Sequence, residues 1–272
     1  MRRRPRHDPA GIFTGPTAAI AVILGAVALV LLYAPIAGLA VLSFSARPLT
    51  GIPWPLTLDW YTDLFTGEDA RWIGPLVTSI GIGLLVSFLA TAAALAIGRV
   101  MPLIRRRGGL LVAYLSVLVL PGILVGIAVL FFYRGLLDFR TGFWSVVLVH
   151  FVWALPFALL CILIVTVRFD HRLLEAATDL GANKIRQFID IELPLLNPGI
   201  TASAFFSFLL SFNELPRTLY TRGGITTLPY YIWTASASHS SAVSLIYALS
   251  AIIMVASFVI VLIATRVLMR SR

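Results

Sequence analysis

The sequence predicts an all-α integral membrane protein with six transmembrane helices, and three observations carry that prediction. Of its 272 residues 59% are hydrophobic and 12% charged, with a mean hydropathy of +0.95, whereas soluble domains carry about 25% charged residues. Charges are absent from six stretches, 9–46, 72–98, 108–133, 141–167, 193–213 and 223–265, and each can hold the roughly 20 apolar residues that cross a bilayer as a helix. The basic residues between these stretches are unevenly shared. With the N-terminus inside, fifteen arginines and lysines fall on the cytoplasmic side and six on the other, which predicts cytoplasmic N and C termini and an even number of spans.

Residues 1–16 form the expected cytoplasmic N-terminus, and residues 17–73 the first helix with its outer loop. The apolar stretch at 17–42 exceeds the roughly 7–15 residues of a signal peptide, so an uncleaved helix is expected. In the outer loop Trp60 and Leu64, then Tyr61 and Phe65, stand four apart beside Asp59 and Asp63. This spacing predicts a short amphipathic helix in the interface, acting as an aromatic anchor. A core domain at 74–266 follows. Gly81-x-Gly83 and the small residues at 90–96 read as close helix packing in the second span. The fifth span has only 16 residues from Pro198 to Asn213. In the last charge-free stretch Gly223-Gly224, Pro229 and the polar run Ser236-Ala237-Ser238-His239-Ser240-Ser241 interrupt the first half. One helix is therefore expected at 244–266, with a cytoplasmic tail at 267–272.

Composition also excludes chemistry. The 21 basic residues are twenty arginines and Lys184. A phosphate-binding Walker loop needs Gly-Lys-Ser/Thr, and the only lysine stands in Asn183-Lys184-Ile185, so no P-loop ATPase is encoded. Cys161 is the single cysteine, and the histidines at 7, 150, 171 and 239 are scattered, which predicts neither an internal disulfide nor a metal site. The net charge of +9 comes from arginines that flank apolar spans. They read as membrane orientation and not as a nucleic-acid surface.

The one long hydrophilic stretch on the expected inner side is residues 168–197. Asp170 can cap a helix whose Leu173, Ala176, Ala177 and Leu180 form one apolar stripe at spacings of 3, 4 and 7. Gly181 can adopt the left-handed conformation that ends it. Asn183 can cap a second helix with Ile185, Phe188 and Ile189 on its apolar side. Pro194 is expected to block continuation, and Asn197-Pro198 to restart a helix with a cap and a first-turn proline. A helix–turn–helix with an exposed apolar stripe reads as a partner surface or as a loop folded back on the helix ends.

The segment Glu175-Ala176-Ala177-x3-Gly181-x9-Ile191-x-Leu193-Pro194 resembles the EAA motif of ABC importer permeases at all seven positions. The similarity extends from about residue 31 to 266 and is greatest to the spermidine/putrescine-type branch. It is carried by Tyr33-x-Pro35, Leu58-Asp59-Trp60-Tyr61, Leu120-Pro121-Gly122, Ala154-Leu155-Pro156, Ser211-Phe212-Asn213-Glu214 and Thr227-Leu228-Pro229. These softer motifs are shared with permeases for iron, sulfate, opines and phosphonates. The resemblance implies a type 1 ABC importer permease fold in a prokaryotic cytoplasmic (inner) membrane. Its partners would be two ATPase subunits, a second, similar permease and an extracytoplasmic solute-binding protein, with a homodimer as the alternative pairing. ATP and Mg would be used by the partner subunits, no cofactor by this chain. Glu175, Ala176, Ala177, Leu180 and Gly181 would form the coupling contact with an ATPase subunit, and Leu193 and Pro194 would set the exit into the fifth span. A polyamine is the implied solute, with an opine, aminoethylphosphonate or ferric ion as alternatives.

Polar groups at membrane depth are costly and mark candidate pathway residues. Glu214 ends the charge-free fifth span, and Pro216 and Gly223-Gly224 then interrupt the backbone, as in broken helices that line transport pathways. Pairing with Arg217, one turn on, is the alternative. The polyamine branch commonly carries two acids here, and Asn213 stands in place of the first. Tyr230, Tyr231 and Trp233 could hold an alkylammonium group by cation–π contact or anchor the interface. His150 is a pathway candidate or an interhelical hydrogen-bonding partner. A self-sufficient secondary transporter would need paired ionisable groups in several helices and an inverted repeat, neither of which is visible.

Overall fold

The computed structural model describes residues 16–66, 71–237 and 242–270. Almost all of the N-terminal segment expected at 1–16, the last two residues of the tail, and Ser238, His239, Ser240 and Ser241 of the polar run lie outside the described residues. Among the described residues twelve α-helices follow in order: α1 (Pro16–Leu42), α2 (Asp59–Asp63), α3 (Ile73–Val100), α4 (Arg107–Ser116), α5 (Gly122–Phe131), α6 (Phe143–Thr166), α7 (Arg172–Asp179), α8 (Lys184–Arg186), α9 (Leu193–Phe212), α10 (Thr218–Thr221), α11 (Leu228–Ala237) and α12 (Ala242–Arg270). Five continuous helical stretches of the described residues are long and apolar enough to cross a membrane, and a bent pair, Arg107–Val119 with Gly122–Leu136, makes a sixth when counted as one broken span.

The core is the mutual packing of α3, α6 and α9. Each buries a ridge of residues four apart: Ile82, Val86, Ala90, Ala94 and Gly98 on α3, His150, Ala154, Ala158, Ile162 and Thr166 on α6, and Gly199, Ser203, Ser207 and Ser211 on α9. Ridges at this spacing interdigitate, and their small side chains bring the helices close where lipid offers no hydrophobic drive. The Ser87 hydroxyl donates to the Ala204 carbonyl at 2.7 Å, and Ser203 to Thr91 at 3.1 Å. A Cβ on Gly98 would lie 2.6 Å from Ile162 Cγ2, and one on Gly83 2.9 Å from the Phe208 ring, whereas Gly81 faces open space. Of the two glycines expected to serve packing, Gly83 does so.

The helix expected in the loop after the first span is α2, five residues long. It is tied to the chain around it: Trp60 Nε1 donates to the Ser45 carbonyl at 2.8 Å, and the Tyr61 and Ser43 hydroxyls are bonded at 2.7 Å. Leu64 just beyond it is buried with Trp72, Leu228, Ile246 and Leu249. None of the most apolar stretch of α1 is buried.

Three expectations about span boundaries need correction. The stretch 108–133 is not one straight helix but two, bent by 97°. Pro121 cannot continue α4, and Leu120 before it is extended, with φ −75° and ψ 127°, as the proline ring demands. The fifth span does not restart at Asn197-Pro198. Helix runs unbroken from Lys184 to Phe212, through Pro194 in the first turn of α9 and Pro198 inside it. A π-helical turn at Gln187–Glu192 precedes Pro194, and its wider ring eases the clash between the proline and the carbonyl four residues back. The last helix is α12 at Ala242–Arg270, longer at both ends than 244–266.

Candidate coupling loop and buried polar cleft

Residues 168–197 lie at the end of the bundle where α3 and α6 finish and α9 begins. Asp170 Oδ1 accepts from the Arg172 backbone N–H at 3.0 Å, closing the turn that starts α7. Gly181 has φ +81°; its N–H bonds to the Thr178 carbonyl and that of Ala182 to the Ala177 carbonyl, both at 2.9 Å. This bond pair is a Schellman motif and satisfies carbonyls that the end of α7 leaves open. Asn183 caps α8, its side chain accepting from the Arg186 N–H at 2.9 Å. Along α7 Leu173, Glu175, Ala176 and Leu180 are exposed and Ala177 is buried. Leu180 is 88% exposed, so the stripe is open at Leu173, Ala176 and Leu180, but Ala177, expected in the same stripe and in the coupling contact, is buried. Leu193 and Pro194 are exposed at the start of α9.

Three groups that the sequence reading passed over hold this loop in place. Gln187, 2% exposed, donates to Thr178 Oγ1 at 2.8 Å and to the Ala182 carbonyl at 3.0 Å, joining α7 to the π turn. Arg99, in the last turn of α3, grips Glu192 with two bonds of 2.5 and 2.9 Å and lies over the Phe188 ring at 4.6 Å. A cavity of about 470 Å³ lies beneath α7, lined by Ala96, Arg99, Thr166, Leu174, Glu192 and others. The two residues of the ion pair are 93 apart in sequence, so no local pattern could have found it.

At the opposite end, residues 213–223 fold into a cleft between α5, α6 and α9. Glu214 and Arg217 are both buried and joined by a 2.9 Å ion pair, with a second bond from the Arg217 backbone N–H to Glu214 Oε1 at 3.1 Å. The Arg217 guanidinium stacks on Trp153 at 3.8 Å. Trp153 stands ten residues into α6, about 15 Å along the helix at the usual 1.5 Å rise, so this charge pair lies well inside the bundle. Gly122 and Gly126 make room: a Cβ on the first would meet Arg217 Nη1 at 2.9 Å, and on the second the Arg217 carbonyl at 3.0 Å. His150 bonds to Ser211 Oγ at 2.9 Å through Nδ1 and to Thr218 Oγ1 at 2.8 Å through Nε2. Thr218 spends its one hydroxyl proton on the Glu214 carbonyl at 2.7 Å. Nε2–H must therefore donate to Thr218, which assigns the ring's orientation within the network.

The pathway candidates thus divide into groups. Asn213 and Trp233 line one cavity of about 400 Å³ with Leu215, Pro229, Ile232 and Ser236. Glu214 and His150 do not line that cavity and are buried in the network described. Tyr230 accepts from Arg222 at 2.7 Å through its hydroxyl, under a guanidinium 3.8 Å from its ring. Tyr231 packs on the cluster around Leu228 and Leu249. The entry to α11 is pinned to α3, since the Leu228 N–H donates to Ser79 Oγ at 2.8 Å.

Residues 88–272 match the family described as binding-protein-dependent transport system inner membrane component. Among individual proteins, the chain is 30% identical over 197 residues to the spermidine/putrescine transport system permease protein PotC of Escherichia coli K12, covering 71% of this chain and 72% of that protein. PotC of Haemophilus influenzae is 29% identical over 195 residues, 71% of this chain and 74% of its own. The putrescine transport system permease protein PotI of E. coli K12 is 26% identical over 217 residues, 75% of each. In fold the chain is similar to an inward-facing structure of the MetNI methionine ABC transporter, with a TM-score of 0.59 at 16% identity, covering 76% of this chain and all of that one. The helical order, the broken third span and these matches together define a type 1 permease fold. The chain belongs to the binding-protein-dependent transport system inner membrane components, the permease subunits of ABC importers.

Proposed function

We propose that this chain forms half of the solute pathway of a polyamine importer in a prokaryotic cytoplasmic membrane, driven by ATP hydrolysis in two partner ATPase subunits. The observation that carries the solute is the 30% identity to PotC, supported by PotI. A second, similar permease would complete the pathway, and a soluble binding protein would deliver the polyamine. In this reading α7 is the coupling helix. Leu173, Ala176 and Leu180 supply an apolar face, exposed Glu175 a charged edge, and Gly181 the turn that presents it to an ATPase groove. A permease moves solute uphill only if nucleotide biases its two states, so loss of that contact uncouples transport. Asn213 and Trp233 are the pathway residues that a passing solute would meet first.

The Glu214–Arg217 pair favours a second reading. Its charges cancel, leaving no free carboxylate for a polycation at that depth, and a zwitterion such as an opine or aminoethylphosphonate would pass equally well. Uptake of labelled spermidine by cells bearing the whole transporter, with and without this chain, decides between them, with Glu175→Arg as the coupling control. Uptake that needs both the chain and Glu175 supports the polyamine. If uptake ignores the chain while an ATPase subunit still co-purifies with it, the solute is of another class.

A further inference from the structure

One contact between the coupling loop and α3 is built as a clamp. Arg99 forks both carboxylate oxygens of Glu192 and covers the Phe188 ring, so one guanidinium holds two residues four apart on the π turn Gln187–Glu192. Bidentate guanidinium–carboxylate pairs fix orientation as well as distance, which a single lysine contact would not. The same turn is joined to α7 by the buried Gln187 amide, through Thr178 and the Ala182 carbonyl. Helix α7 and the turn therefore move as one piece. Beneath α7 lies the cavity of about 470 Å³, with Leu174 on its loop side and Ala96, Thr166 and Leu196 on its membrane side. Close packing transmits displacement, and a void does not. A push on α7 reaches α9 along the unbroken helix that includes the π turn, and it reaches α3 at the rim of that cavity through Glu192 and Phe188 to Arg99.

We infer that Arg99 is a positioning residue that carries displacement of the coupling helix into α3, through its fork on Glu192 and its stack on Phe188. Since α3 shares its whole buried ridge with α6 and α9, tilting α3 repacks the core. The π turn suits this role: such turns are rare and frequent at functional sites. Glu192 is also the first residue before α9, so the clamp ties the end of one core helix to the start of another.

This inference rests on residues 168–197 being the coupling loop, and the experiment separates the two. The whole transporter, assembled with cysteine-free partners, carries Ser236→Cys at the opposite cavity and Cys161→Ala. Labelling of the new thiol by a membrane-impermeant maleimide is timed in the nucleotide-free and the ATP–vanadate-trapped states. Retention of the ATPase subunit and ATP hydrolysis are measured on the same preparations. In the otherwise unaltered chain, trapping changes the labelling rate. In Arg99→Gln and Glu192→Gln the ATPase subunit stays bound and hydrolyses ATP, but that change shrinks by about tenfold, within the usual range of coupling between sites. The charge swap Arg99→Glu with Glu192→Arg recovers a large part of it. Single variants that respond as the unaltered chain does overturn the inference, as does a swap no better than the singles. Single variants that release the ATPase subunit, as Gly181→Trp is expected to, overturn it as well, because the pair then only shapes the docking surface. If the unaltered chain itself ignores trapping, or Gly181→Trp keeps its ATPase, the coupling reading falls and the clamp falls with it.

Discussion

Replacing Arg217 by glutamine tests the buried cleft most directly. Both side chains of the Glu214–Arg217 pair are about 5% exposed, so the carboxylate that remains cannot turn to water. Breaking one side of a buried ion pair costs about 3–5 kcal/mol, and loss of the stack on Trp153 about 0.5–2 kcal/mol more. One feature pulls the total toward the low end: the backbone N–H of residue 217 still serves Glu214 Oε1. We expect a loss of about 3–4 kcal/mol. Glu214→Gln strands the equally buried guanidinium and should also cost about 3 kcal/mol, at the low end because the amide can still accept hydrogen bonds and the guanidinium keeps its aromatic partner. In the double variant the two amides can bond each other, which predicts an interaction energy of about 1–3 kcal/mol in the cycle. Equilibrium unfolding of the four chains in mixed micelles measures all three quantities. Single costs that add to within about 0.5 kcal/mol would refute the reasoning that the pair is buried and mutually dependent.

Other substitutions test the packing and the loop. Gly98→Ala forces a methyl to within 2.6 Å of Ile162 Cγ2 and should destabilise by about 1–3 kcal/mol; Gly81→Ala, with nothing within 4 Å, should stay within about 0.5 kcal/mol by the same unfolding measurement. His150→Phe leaves the Ser211 hydroxyl without its partner and removes the donor to Thr218, for an expected loss of about 1–3 kcal/mol, read together with faster hydrogen exchange in residues 214–221. Asn183→Ala removes the α8 cap, costs about 1 kcal/mol locally, and should raise exchange at residues 184–189 while leaving α3 and α6 unchanged.

Much of this architecture follows from the chain read locally. Hydropathy over about 20 residues marks a span because the bilayer sets a length and forbids unpaired backbone. Gly181 and Asn183 mark the end of α7 and the start of α8 because capping depends on neighbours within one turn, and each does what its residue type predicts, whereas Asp170 closes the turn before α7 and the cap position itself falls to His171. The EAA spacing identified the loop, and Arg217, one turn from Glu214, was the only ion-pair partner within reach of local reasoning. Local rules failed where a proline's effect depends on its surroundings. At Pro121 the helix breaks; at Pro194 and Pro198 it continues, because a π turn and the packed ridge of α9 hold it.

Which face of each span is buried, and what the loop is fastened to, required the assembled bundle. In a bilayer the lipid-facing and protein-facing sides of a helix are equally apolar, so hydropathy reports that a helix crosses and not what it packs against. That choice is made by small residues meeting their counterparts on other helices: Gly83 against Phe208, Gly98 against Ile162, Ser203 against Thr91. The same holds for charge. Glu192 and Arg99 are ordinary loop and helix-end residues until α3 and α9 come together at one end of the core, and only that meeting makes them a clamp.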